Sequence, residues 1–204
     1  MGNRAQLSKT VFQAQAGSAG GTGAFRYDYY IIWSPGLPFR DQIVELIGSE
    51  EKFEIVEICE HCPFDLEAFA LEVYKLDTIP NHLIHLKTQN MKGMGSELGA
   101  EMVIVFLKHH NPDFETFDRF DGIGQISKSM FAECFKRDIR AKFATEIDAQ
   151  QKYKNVLHGS DYEEQVDHLL KMLGAEEGIE YLYTRYGKPD PIPGTFGHSN
   201  CAPV

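Results

Sequence analysis

The chain is short of basic residues, setting 20 Lys and Arg against 30 Asp and Glu for a formal net charge of −10 at pH 7. Binding a polyanion depends on cations that neutralise phosphates, so this balance excludes a broad nucleic-acid surface and leaves room only for a local basic pocket. Cysteine is scarce too. Four in 204 residues do not build a disulfide framework, and a reducing, cytoplasmic compartment is the simpler assumption. No apolar run approaches the roughly 18 residues that span a bilayer, so no membrane partner is expected. Acids are missing altogether from residues 1–24, which are rich in Ala, Gly, Gln and Ser and end in Gly-Ser-Ala-Gly-Gly-Thr-Gly before Ala24. This stretch reads as a flexible leader: a linker, or an organelle-targeting segment without a hydrophobic signal-peptide core. Met1-Gly2 invites N-myristoylation, but position 6 is Gln where the pattern wants Ser or Thr.

What is present is an ordinary globular composition. With 43% hydrophobic and 25% charged residues, the chain can bury a substantial core, and one domain over residues 25–186 is expected. Tyr27 to Trp33 is aromatic and β-branched, hence a strand ended by Ser34-Pro35-Gly36. A short helix from Phe39 to Ile47 and a strand from Phe53 to Cys59 complete a β-α-β opening. Leu66, Phe69, Ala70, Val73 and Leu76 trace a helix face that Asp65 can cap. Helical structure extends over Leu83 to Leu86, and Lys92 to Ser96 is a loop. Met102 to Leu107 is an unbroken apolar run, as a strand buried on both faces requires, and is expected mid-sheet. Residues 113–124 form a charged excursion. Met130, Phe131, Cys134, Phe135 and Ile139 recur at helical spacing, with Lys136, Arg137, Arg140 and Lys142 toward the helix end, and Lys136, Arg137 and Lys142 read as a solvated face. Ile179 to Arg185 forms one more short element. Residues 187–204 are an irregular tail, with four prolines from Pro189 onward. There is no internal repeat.

Two stretches carry candidate chemistry. Cys59-Glu60-His61-Cys62 is a CxxC, which His198 and Cys201 would complete as a four-ligand zinc site of an interaction module. The halves lie in different segments, and cysteines that merely pack are the preferred reading. The second stretch is Asn155-Val156-Leu157-His158-Gly159-Ser160-Asp161. Val156 and Leu157 enter the core, Gly159 permits a tight turn, and Ser160 with Glu163, or Asp161 with Glu164, fits a capping box. The helix so begun carries Val166, Leu169, Leu170 and Leu173 on one stripe and is capped by Gly174. Its N-terminal N–H groups lie beside His158, where a phosphate or carboxylate could be held and where an imidazole can act as nucleophile or acid/base. The plainer alternative is a turn histidine that only bonds the cap.

With the elements in this order, the Asn-x-x-His-Gly-Ser-Asp stretch resembles that of the nucleoside diphosphate kinase family, and the likeness extends over roughly Tyr27 to Leu173. The resemblance implies an α+β fold, a ferredoxin-like antiparallel sheet with helices packed on one face, and homo-oligomer formation. It implies a γ-phosphoryl transfer from a nucleoside triphosphate through a phosphohistidine to an acceptor such as a nucleoside diphosphate, with Mg2+ carried on the nucleotide phosphates. His158 would be the phosphorylated residue, Glu164 would orient its ring, Ser160 would support the turn, and Asn155 would contact ribose or phosphate. Ile139-Arg140-Ala141-Lys142-Phe143 resembles the family's Ile-Arg-x-x-Phe segment, making Arg140 a phosphate ligand. Tyr74 stands where a helix tyrosine is found. Arg119, with Gly122 or Gly124 and Ser127, stands for an Arg-containing loop. His82 is nearest in register to the base-stacking phenylalanine. Ser34 stands where the family has a phosphate-neutralising lysine, and the Arg140–Asn155 spacing is longer than usual. These departures keep open a non-catalytic nucleotide-binding or assembly protein that retains the fold.

Overall fold

The computed structural model describes residues 9–14, 24–77, 81–92, 102–118, 125–143 and 156–190. The fold is α+β. Its main sheet has five strands: β1 (Lys9–Ala14), β2 (Phe25–Ile32), β3 (Phe53–Cys62), β4 (Met102–His110) and β7 (Leu157–Gly159), in the order β1-β3-β4-β2-β7. Every neighbouring pair is antiparallel. A separate hairpin pairs β5 (Phe114–Asp118) with β6 (Gln125–Ser129).

The apolar run from Met102 is the middle strand, as expected, and its first eight residues are all buried. The β-α-β opening is present as β2, α1 and β3, with β4 lying between its two strands. Two further segments differ from the sequence reading. Lys9–Ala14, placed in the flexible leader, forms β1 on the edge of β3, and Phe114–Asp118 of the charged excursion forms β5, paired with β6.

Helices cover both faces of the sheet rather than one. α1 (Arg40–Gly48), reached through a 3-10 turn at Ser34–Phe39, and α4 (Met130–Phe143) pack Ile43, Ile47, Ala132, Ile139 and Phe143 against Tyr30, Ile32, Val103, Val105 and Leu107. On the opposite face, α2 (Leu66–Val73), α3 (Asn81–Lys92), α5 (Glu163–Met172) and α6 (Ile179–Tyr186) bring Phe69, Val73, Ile84, Val166, Leu169, Leu170 and Leu182 against Tyr27, Tyr29, Ile31, Ile104 and Phe106. Alternation along β2 and β4 supplies both cores at once. Asp65 caps α2, its carboxylate accepting from the N–H groups of Glu67 and Ala68. The α5 stripe is buried throughout, and Gly174, at φ +93°, ends the helix in a left-handed conformation suited to glycine. Among the described residues, no helix is long and apolar enough to cross a membrane.

Two polar clusters stabilise this frame from within. Asp28, 3% exposed, accepts from Arg26 Nη2 at 2.8 and 2.9 Å, from His109 Nδ1 at 3.0 Å and from Ser160 Oγ at 2.9 Å. On β3, the buried Glu57 accepts from the Tyr181 and Tyr186 hydroxyls of α6 at 2.8 and 3.4 Å.

Candidate functional site

His158 sits on the edge strand β7 opposite Ile31 of β2, so it shares the face of Tyr29 and Tyr74. Its ring lies edge-on to Tyr74 at 4.7 Å and tilted to Tyr29 at 5.9 Å. The Tyr29 hydroxyl is 3.4 Å from Nε2, and no hydrogen bond to Nδ1 is found among the described residues. Gly159 is not a turn residue. It lies within β7, and a Cβ there would meet Tyr30 Cε1 at 2.6 Å, so glycine is required by close approach of the Tyr30 ring.

The turn after His158 is fixed from below. Ser160 does not cap the helix: its Oγ donates to Asp28 and accepts from Tyr29 N–H at 3.0 Å. Asp161 N–H donates to Gln165 Oε1 at 2.6 Å, and Arg26 Nη1 donates to the Asp161 carbonyl at 2.8 Å. The helix therefore opens at Glu163 with Gln165 reaching back, not Glu163 or Glu164. A buried acceptor and a buried donor below the turn, the Asp28 carboxylate and the Tyr29 N–H, hold Ser160 in the core, which the capping spacing alone does not reveal.

His158 opens onto a cavity of about 220 Å³ lined by Leu76, Asp77, Lys87, Ile126, Lys128, Glu133, Lys136, Arg140, Gly159, Asp161 and Tyr162. Four cations and three carboxylates converge there. Lys128 of β6 pairs with Asp161 Oδ2 at 2.5 Å, and Lys136 of α4 pairs with Glu133 and, at 3.5 Å, with Asp161 Oδ1. Arg140, one turn along α4 from Lys136, donates from Nε to the Leu157 carbonyl at 2.7 Å. Lys87 of α3 lies 4.4 Å from the centre of the Tyr74 ring.

This surrounding charge sets the protonation states. Burial, reinforced by Lys136, Lys87 and Arg140, drives His158 well below the ordinary histidine value of 6.5, so its imidazole is neutral at pH 7. Burial opposes ionisation of Asp161, but Lys136 and Lys128 outweigh it and hold its carboxyl well below the usual range. Burial, and then the charge of Asp161, raise Asp77 to about 6. Its Oδ1 accepts from Gln165 Nε2.

The cavity unites His158 and Arg140, while other predicted site residues lie elsewhere. Tyr74 is 2% exposed, stacked on Trp33 at 6.4 Å and capped by Lys87, so it buttresses the histidine and offers no open face to a base. His82 is exposed on α3 and does not line the cavity. Glu164 is exposed on the first turn of α5, where no hydrogen bond links it to the buried His158; the group at Nε2 is Tyr29. Asn155, Arg119, His198 and Cys201 lie outside the described residues. Cys59 and Cys62 occupy one strand at i and i+3 and so face opposite sides, one buried and one exposed. Burial pushes the Cys59 thiol up to about 12, which disfavours the thiolate that zinc requires. Among the described residues, no three His, Cys, Asp or Glu side chains are grouped to hold a metal.

Sequence reasoning missed Lys87, Lys128, Asp77 and Glu133, read Asp161 only as a helix cap, and misplaced Lys136. Arg137 and Lys142 are exposed as expected, but Lys136 is 7% exposed. Its signal was the i, i+4 spacing to Arg140, which puts both cations on one helix face. The chain matches no protein-family model and no curated protein.

Proposed function

We propose that this chain is a nucleoside diphosphate kinase-like phosphotransferase, in which His158 takes a γ-phosphoryl group from a nucleoside triphosphate and passes it to an acceptor such as a nucleoside diphosphate. The observation that carries the reading is a neutral, buried histidine at a cavity into which Lys87, Lys128, Lys136 and Arg140 all project. A neutral imidazole has the lone pair that nucleophilic attack on phosphorus needs. With the Nε2 proton directed at the Tyr29 oxygen, Nδ1 keeps that lone pair. Attack forms the N–P bond as the bond to the β-phosphate oxygen breaks, and the nucleoside diphosphate leaves with that electron pair. The acceptor's terminal phosphate oxygen then attacks phosphorus and His158 is regenerated. Cations near the transferring oxygens stabilise the charge that moves in both steps. Mg2+ arrives on the nucleotide phosphates.

The sheet also supports the reading. Without β1, the order β3-β4-β2-β7, with β2 and β3 parallel across β4, is compatible with the ferredoxin-like sheet that the resemblance implies. Ser34, standing where the family's lysine would be, is buried, and α3, β6 and α4 supply positive charge in its place.

A second reading, a non-catalytic nucleotide-binding or assembly protein, is favoured by one observation: Lys128 and Lys136 already have carboxylate partners. Incubation with γ-labelled ATP and Mg2+ separates the two. Acid-labile, base-stable label on the wild-type chain that disappears in His158→Ala supports the phosphotransferase. Nucleotide binding without such label supports the second reading, and undiminished transfer by His158→Ala refutes the first.

A further inference from the structure

An anion entering the cavity beside His158 meets cations that already hold an anion. Asp161 is tethered by its backbone, the N–H to Gln165 and the carbonyl to Arg26, so its side chain alone can turn. That side chain places one carboxylate oxygen 2.5 Å from Lys128 Nζ and the other 3.5 Å from Lys136 Nζ. Two oxygens bridging two ammonium groups is the arrangement a bound phosphoryl group would make. The three side chains are 13, 26 and 9% exposed, so the pairing is largely shielded from water. Lys128 comes from the separate β5–β6 hairpin and Lys136 from α4, which makes Asp161 the link between two walls of the cavity.

We propose that Asp161 is an intramolecular surrogate for phosphate: its carboxylate bridges Lys128 and Lys136 in the unliganded site, and a polyphosphate binds by displacing it. The inference rests on the phosphate-site reading of His158 and specifies how that site is regulated. An anion carrying several charges cannot share two lysines with a fixed carboxylate at such distances, because like charges within a few ångströms repel strongly where water is excluded. Displacement also makes the site selective by charge. A monoanion offers the lysines no more than Asp161 does, whereas a phosphate chain brings several charges and reaches Arg140 as well. Apparent affinity falls by the fraction of time the carboxylate stays in place.

The test is calorimetric titration of the full chain with inorganic pyrophosphate, comparing wild type with Asp161→Asn and Asp161→Ser. Both variants are expected to bind about tenfold more tightly, since one competing charge has gone. Lys128→Gln should then weaken binding more in the Asp161→Asn background than in the wild type. Equal or weaker binding by variants whose circular dichroism and melting are intact overturns the proposal alone, leaving the phosphohistidine assay to decide the site's chemistry. Failure of every protein to bind pyrophosphate overturns the proposal and the phosphate-site reading together. The wild type supplies a second readout that needs no variant to fold: the Asp161 carboxyl carbon resonance should shift as pyrophosphate saturates the site. An unchanged resonance at saturation overturns the displacement.

Discussion

Replacing Asp28 by Ala removes one carboxylate and leaves Arg26, His109 and Ser160 without their shared acceptor. Arg26 is 7% exposed and His109 0%. Among the described residues, Arg26 Nε and His109 Nε2 already have no hydrogen-bond partner, so neither side chain has a ready substitute there. Among the described residues, the guanidinium keeps the Asp161 carbonyl and the Phe114 ring, 4.9 Å away. Breaking a buried ion pair by deleting one partner costs about 3–5 kcal/mol, a large share of the roughly 5–15 kcal/mol that holds a domain folded. At about 2–4 °C per kcal/mol for a chain of this size, melting should fall by roughly 6–20 °C. Urea unfolding followed by the fluorescence of Trp33, the single tryptophan and 1% exposed, measures it directly. The deficit should shrink in acid. Burial opposes ionisation of Asp28, but Arg26 and His109 hold its pKa below 3.8, so its stabilisation is complete above that value and is lost as pH falls through the lower folded one. Arg26→Met with Asp28→Leu should recover most of the loss, because the stranded charge goes with its partner. A single variant within about 1 kcal/mol of wild type, against the buried-pair figure, would refute the reasoning.

Gly159→Ala should cost about 1–3 kcal/mol, typical of overpacking, because the new methyl collides with the Tyr30 ring; an unchanged urea midpoint would show that the ring yields freely. Asp77→Asn should stabilise the chain above pH 6, where the native carboxylate is ionised at a cost. With the folded pKa at about 6 against 3.8, the gain is up to about 3 kcal/mol and disappears below the unfolded value; melting curves at pH 4 and 8 that show the same difference would contradict this. The His158 ring resonances, followed by NMR, should show no titration step at 6.5, because the folded imidazole stays neutral to well below that pH; a step near 6.5 in those resonances would mean the ring is solvated.

Much of the frame was legible because periodicity reports burial. The α5 stripe, the Asp65 cap and the doubly buried β4 each follow from residues close in sequence. β1 was hidden because Lys9–Ala14 gains its strand partners only from β3, some fifty residues away, and the hairpin because its exposed strands show little apolar alternation. At the site, His158 was visible through its motif and Arg140 through the family resemblance. The lysines were not, since β6, α3 and α4 converge only in three dimensions. The capping pairs of Ser160 with Glu163 and Asp161 with Glu164 were misjudged because capping rules weigh a helix end alone, whereas Asp28 and Tyr29 of the neighbouring strand hold Ser160 and Gln165 takes the Asp161 N–H.

Lys128 reaches the cavity on a hairpin that shares no strand pairing with the main sheet. A two-stranded ribbon is marginal by itself, and one wall of the site thus opens more cheaply than the five-stranded sheet beside it. Amide hydrogens of β5 and β6 should exchange with solvent through local fluctuations, orders of magnitude faster than those of β4, which must await global unfolding. A ligand held by Lys128 should slow amide exchange in β5 and β6 while leaving that of β4 unchanged.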